Sequence, residues 1–229
     1  MKLLAFSDLH GRYLSLAASL IETHAPDWVV LLGDILPDFD ALSGRSARTA
    51  AQVAFWETYA SCFEGGGAPL TFIRGNHEAE AFHVPPRHRR VPGPLVNRVL
   101  CLEGIPIPDG GFGFAREMDD QALEAELDRA LDALLAPQVV LCHAPPFGCL
   151  DRGLGSPALR AWLDMTPGVP LVLCGHVHEA RGACHLGDTL VVNVAEGVAL
   201  LDDQEGAWQL RSLESLSALD ARQKVLAED

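Results

Sequence analysis

The chain has 229 residues, 48% of them hydrophobic and 21% charged, with a net charge of -14. That length and composition suit one large domain with a substantial core and exclude global disorder. Such an acidic balance argues against nonspecific binding of a nucleic-acid backbone, which wants a basic footprint.

The apolar start, residues 1–6, meets Asp8 too early for a secretory segment. No apolar run approaches the ~20 residues a membrane helix needs. A soluble, cytoplasmic protein without membrane contact is expected. The six cysteines contain no C-x-x-C pair. They read as reduced, mostly buried thiols rather than a disulfide framework.

Residues 2–7 predict a first strand ending at Asp8-Leu9-His10-Gly11. Leu14, Leu16, Ala17, Leu20 and Ile21 then recur at helical spacing. Residues 28–32 are a continuous apolar run, the mark of a strand buried on both faces, and end at Gly33-Asp34. A loop over 35–45 leads to a helical pattern over 46–63, closed by Gly65-Gly66-Gly67. Residues 69–73 predict a strand that runs into Arg74-Gly75-Asn76-His77-Glu78.

Residues 79–98 form an irregular, Pro-rich segment with Arg87, Arg89, Arg90 and Arg98 against Glu80. The plain reading is a solvated loop; the sharper one is a positive lid over an anionic substrate. Residues 99–107 and 111–115 predict strands joined by a Pro-Asp-Gly-Gly turn. Residues 119–135 predict an amphipathic helix, capped by Asp119 or Asp120, with Leu123, Leu127, Leu131 and Leu134 as its apolar stripe.

Residues 138–142 predict a strand ending at His143, and Ser156 caps a helix through residue 165. A further strand over 170–174 ends at Gly175-His176-Val177-His178. Short strands over 182–186, 189–194, 198–201 and 206–211 have the spacing of an antiparallel meander, and a helix lies within 212–229. The expected fold is α/β: a single domain over 1–229, built as a four-layer αββα sandwich of two mixed sheets.

Five apolar strands therefore end in polar side chains of one chemical kind. Asp8, His10, Asp34, Asn76, His143, His176 and His178 offer imidazole, carboxylate and amide donors. Seven are too many for one tetrahedral ion and suit two divalent ions that share a carboxylate. Extended backbone would point Asp8 and His10 the same way, and likewise His176 and His178. Each piece alone is more often a strand-end turn; the ordered set is what points to metal.

The ordered set, from Asp8 to His178, resembles the calcineurin-like metallophosphoesterase family, in its small phosphodiesterase-type branch. The resemblance implies one ion held by Asp8, His10, Asp34 and His178, and a second held by Asp34, Asn76, His143 and His176. It implies that Asn76, His77 and Glu78 carry catalysis: His77 protonates the leaving oxygen and Glu78 orients His77. The implied reaction is attack of a metal-bridging hydroxide on a small phosphorylated substrate, a phosphodiester such as a cyclic nucleotide. Two ions with these ligands leave the pocket at a local charge of about +1, so an acidic protein can accept phosphate.

Manganese is the expected metal, with Fe, Ni, Co or Zn as alternatives. Arg12, Arg74, Arg87 and Arg181 are candidate substrate contacts. The rival readings are a phosphomonoesterase or protein phosphatase of the same family, and a metal-binding scaffold without turnover. Ile35-Leu36-Pro37-Asp38 stands where protein phosphatases continue Val-Asp-Arg-Gly, which counts against that branch. Val192-Asn193-Val194-Ala195-Glu196-Gly197 departs from the Val-Asn-Pro-Gly of many relatives. There Asn193 reads as a backbone-satisfying strand end.

Overall fold

The computed structural model describes every residue except 40, 43, 107–115, 134–136 and 229, and describes only the backbone of 120, 121, 130–133 and 226–228. Two five-stranded sheets lie face to face. The first has the order β12 (Ala207–Ser215), β11 (Gly197–Gln204), β1 (Lys2–Ser7), β2 (Trp28–Leu31), β3 (Leu70–Phe72). The second has the order β4 (Val99–Leu102), β7 (Val139–Cys142), β8 (Leu171–Cys174), β10 (Thr189–Asn193), β9 (Gly182–Leu186). A small parallel pair, β5 (Ile105–Pro106) and β6 (Glu117–Met118), stands apart.

Alternation along each strand builds the layers. Leu3, Ala5, Trp28, Val30 and Leu32 turn inward and pack on Val139, Leu141, Leu171, Leu173 and Val192 of the facing sheet. Leu4, Phe6, Val29, Leu31 and Phe72 turn outward, onto helices α1 (Leu14–His24), α2 (Arg45–Tyr59) and α5 (Leu216–Glu228). Val140, Cys142, Val172, Cys174 and Val191 meet α3 (Asp120–Ala133) and α4 (Pro157–Met165) on the far side. These are the four expected layers. The continuous apolar runs arise because β1, β2, β7 and β8 are covered on both faces.

Both sheets are mixed. β1, β2 and β3 run parallel, as do β4, β7, β8 and β10, while β9, β11 and β12 attach antiparallel. The expected C-terminal meander is thus split between sheets. β9–β10 is a hairpin on the second sheet, and β11 crosses to pair with β1 on the first. Spacing shows that a segment is a strand but not which sheet it joins. Residues 212–215 belong to β12, where Ser215 pairs with Gly197, so the C-terminal helix starts at Leu216.

Helix α3 is capped by Asp119, which accepts from Ala122 N at 2.7 Å, and buries Leu123 and Leu127. The strand expected over 111–115, its turn, and Leu134 lie outside the described residues, as does the side chain of Leu131. Ser156 accepts from Leu159 N and caps α4. The expectation of reduced thiols fails at one pair: Cys149, in the loop after β7, is disulfide-bonded to Cys184 on β9. They are 35 residues apart and meet because that loop passes the edge of the second sheet. Cys142 and Cys174 are buried free thiols, as expected.

The 79–98 segment is not solvated throughout. Phe82, Val84, His88 and Leu95 are buried, and Arg90 N donates to Leu70 O, covering the free edge of β3. Two of its arginines have acidic partners: Arg87 pairs with Glu64, and Arg89 with Glu103. Among the described residues no helix is long and apolar enough to cross a membrane.

Candidate metal centre

Parallel strands bring their carboxyl ends to one edge, where open α/β sheets present ligands. Here the ends of β1, β2 and β3 meet those of β7 and β8. Backbone bonds lock the turns together: Asp8 N donates to Gly33 O at 3.1 Å, His10 N to Asp34 O at 2.9 Å, and Gly175 N to His143 O at 2.9 Å. His143 Nδ1–H crosses between the sheets and donates to Leu32 O at 2.7 Å, which turns Nε2 toward Asn76 and Asp34.

Four of the candidate ligands sit in left-handed backbone: Asp8 at φ 57°, His10 at φ 48°, Asp34 at φ 53° and His176 at φ 68°. This conformation is uncommon outside glycine and clusters where function demands it. It also corrects the reason for pairing Asp8 with His10, since neither is in extended backbone. Close approach needs glycine as well. A Cβ on Gly75 would run into Asp34 Oδ1 and lie 2.7 Å from His143 Nε2.

The candidate ligands fall into two clusters with donor atoms within 4.8 Å of one another: Asp8, His10 and His178, and Asp34, His143 and His176. Asn76 Oδ1 joins the second, 3.0 Å from His143 Nε2. His176 and His178 are therefore divided, because the turn at His176 breaks the extended alternation. A third cluster, His10, Asp38 and His77, lies alongside. The donor set fits two divalent ions. His176 Nε2 is buried without a hydrogen-bond partner among the described residues. Orphaned nitrogens are costly unless something such as an ion takes them up.

The electrostatics before metal binds point the same way. Burial opposes charge on Asp34, yet His143, His77 and His10 around it hold its carboxyl below the usual range. Asp8 is lowered despite burial by His178 and His143. Burial works against an imidazolium at His143, but the Asp34 and Asp8 carboxylates outweigh it and push it up to about 10. His176 falls to about 4, first through burial and then through the charge of His143.

Glu78 stands elsewhere than expected. Its carboxylate accepts from four backbone groups: Gly75 N at 2.7 Å, Asp34 N at 2.9 Å, Ile35 N at 2.8 Å and Leu36 N at 3.1 Å. It clamps the turn after β2 to the turn after β3. The carboxylate hydrogen-bonded to the His77 ring is Asp38, through Nδ1. Asp38 has no strand-end signature in the sequence, and only its offset of four from Asp34 could have drawn attention. Gln52 of α2 was equally silent: it donates to Pro37 O and His77 O and accepts from Ala79 N, joining the same two turns.

Each candidate arginine has a protein partner. Arg74 is buried against Glu103 at 2.5 Å and Phe82 O at 2.6 Å. Arg87 pairs with Glu64, Arg181 donates to Ala195 O at 3.1 Å, and Arg12 lies 3.5 Å from Glu196. Asn193 donates to Val177 O and Leu150 O and accepts from Ala195 N, the backbone role expected of it.

Comparison with known proteins agrees with this geometry. A family model described as calcineurin-like phosphoesterase matches residues 1–180. No curated protein matches the chain. The fold is similar to that of TT1561 from Thermus thermophilus, at 18% identity and TM-score 0.60 over 93% of this chain and 99% of that one. It is similar also to a dimetal phosphatase from Danio rerio, at 11% identity and TM-score 0.59 over 94% and 97%. With the family matched from β1 through His178, the chain belongs to the calcineurin-like phosphoesterases, metal-dependent phosphoric ester hydrolases that typically bind two divalent ions.

Proposed function

We propose that the protein hydrolyses a small phosphodiester, with Asp8, His10, Asp34 and His178 holding one ion, Asp34, Asn76, His143 and His176 the other, and His77 as general acid. Two divalent ions held by these residues, manganese foremost, would supply charge to neutralise the phosphoryl group and to lower the pKa of water. The rest is the work of side chains. His77 Nε2 lies 3.9 Å from Asp34 Oδ2, so the ring borders the metal centre while Nδ1 is held by Asp38. Burial disfavours a charged His77, but Asp38 and Asp34 more than compensate and raise its pKa, which suits a proton donor near neutral pH. Glu78 and Gln52 keep the two turns in register.

The diester choice is carried by the arginines. A monoester brings a second negative charge, and a site built for it presents free guanidinium groups in fork geometry. Arg74, Arg87, Arg181 and Arg12 are each engaged with protein partners. A singly charged diester asks less of the pocket. The test is Mn²⁺-dependent hydrolysis of bis-p-nitrophenyl phosphate against p-nitrophenyl phosphate. The diester is expected to show the higher kcat/KM; a monoester preference overturns the choice and favours a phosphatase, the name borne by the Danio rerio neighbour.

A further inference from the structure

Glu196 stands in the turn between β10 and β11. Because Ser7 pairs with Gly197 in the β1–β11 ladder, that turn arrives beside Asp8, at the edge where the metal ligands gather. The turn is well held: Ala195 N donates to Asn193 Oδ1 at 3.0 Å, and Leu216 N to Glu196 O at 3.1 Å. Glu196 has φ 49°, a left-handed conformation that costs a residue with a side chain about 1 kcal/mol.

Its carboxylate meets a candidate ligand. Glu196 Oε1 lies 3.7 Å from Nδ1 of His178, while Nε2 of the same ring lies 3.2 Å from Asp8 Oδ1. One imidazole thus has its inner nitrogen in the Asp8–His10–His178 cluster and its outer nitrogen facing a carboxylate. Metal-binding histidines characteristically give one nitrogen to the ion and the other to an oxygen acceptor that fixes the ring and strengthens it as a donor. His143 has that acceptor in Leu32 O. His178, more exposed, has Glu196 in the corresponding place. Arg12 Nη2 lies 3.5 Å from the same oxygen, Oε1. An exposed ion pair of this sort adds little stability, so its consequence is geometric.

We propose that Glu196 is a positioning residue for the first ion: it fixes the His178 ring so that Nε2 faces the Asp8 and His10 donors, and Arg12 fixes Glu196. The inference rests on the reading of Asp8, His10 and His178 as ligands of one ion. Calorimetric titration of Mn²⁺ into the metal-free protein tests it, on wild type, Glu196→Ala, Glu196→Gln and His178→Ala, with unfolding temperatures for each. Glu196→Ala is expected to weaken one binding event about 10–100-fold, the usual effect of losing such an outer carboxylate, and leave the other in place. Glu196→Gln retains an oxygen acceptor and is expected to recover part of the loss. Unchanged affinities in Glu196→Ala overturn the proposal. Equal weakening of both events with a lowered unfolding temperature overturns it too, as the mark of a general structural defect. His178→Ala separates the two levels: loss of one event upholds the ligand set whatever Glu196 does, and survival of both removes it.

Discussion

Asp38 hydrogen-bonds Nδ1 of His77 and, with its other oxygen, lies 3.5 Å from Nδ1 of His10. One half-buried carboxylate therefore spans the residue assigned to the leaving group and a residue assigned to metal. Asp38→Asn removes the charge that helps raise the His77 pKa. The alkaline limb of the kcat profile should move toward lower pH. His77→Ala should lose about 10²–10⁴-fold for substrates with poor leaving groups, the scale of general-acid catalysis, and much less for p-nitrophenyl esters. Identical pH profiles for wild type and Asp38→Asn would separate Asp38 from the acid.

Glu78 joins two turns rather than one ring, so its loss should be felt as stability. In Glu78→Gln the amide replaces one acceptor oxygen with a donor facing backbone N–H groups. A cost of about 3 kcal/mol is expected, since unpaired buried donors cost ~1–3 kcal/mol each. Urea unfolding of the metal-free variant measures this. Wild-type stability with reduced turnover would return Glu78 to a purely catalytic role.

Gly75 has no room for a side chain between Asp34 and His143. Gly75→Ala should displace Asp34 or His143 and lower bound metal below two ions per chain by elemental analysis. Full occupancy would mean that the turn relaxes at no cost to the site.

Metal uptake should be proton-linked. His143 is pushed up to about 10 from a reference of 6.5, chiefly by carboxylates acting against burial. Its imidazolium thus stabilises the metal-free fold fully below about pH 6.5, and that contribution is lost as pH rises through about 10. A metal entering this cluster must displace that proton, so apparent affinity should rise with pH by up to about tenfold per unit. Titration in buffers of different ionisation enthalpy counts the released protons. A pH-independent affinity between pH 6 and 9 would exclude His143 as a ligand.

Much of the architecture was legible in the chain. β1, β2, β7 and β8 announce themselves because strands covered on both faces must be apolar throughout. Their polar endings stand out against that background. The C-terminal strands were legible as strands but not as members of two sheets, because alternation encodes a buried face and not a partner. Cys149 and Cys184 carried no local signal of pairing, and Arg87 and Arg89 looked free because their partners, Glu64 and Glu103, lie outside the segment.

The sequence by itself determined which donors exist and that they close strands: Asp8, His10, Asp34, Asn76, His143, His176 and His178. Ligand identity is a property of residues, and strand ends follow from local hydrophobic pattern. Tertiary structure alone decided how those donors are shared. The left-handed turn at His176 parts it from His178, the loop after Asp34 carries Asp38 to His77, and the β1–β11 register sets Glu196 against His178. Those relations depend on backbone dihedrals at turns and on two sheets packing face to face, and neither is written in the spacing of residues along one strand.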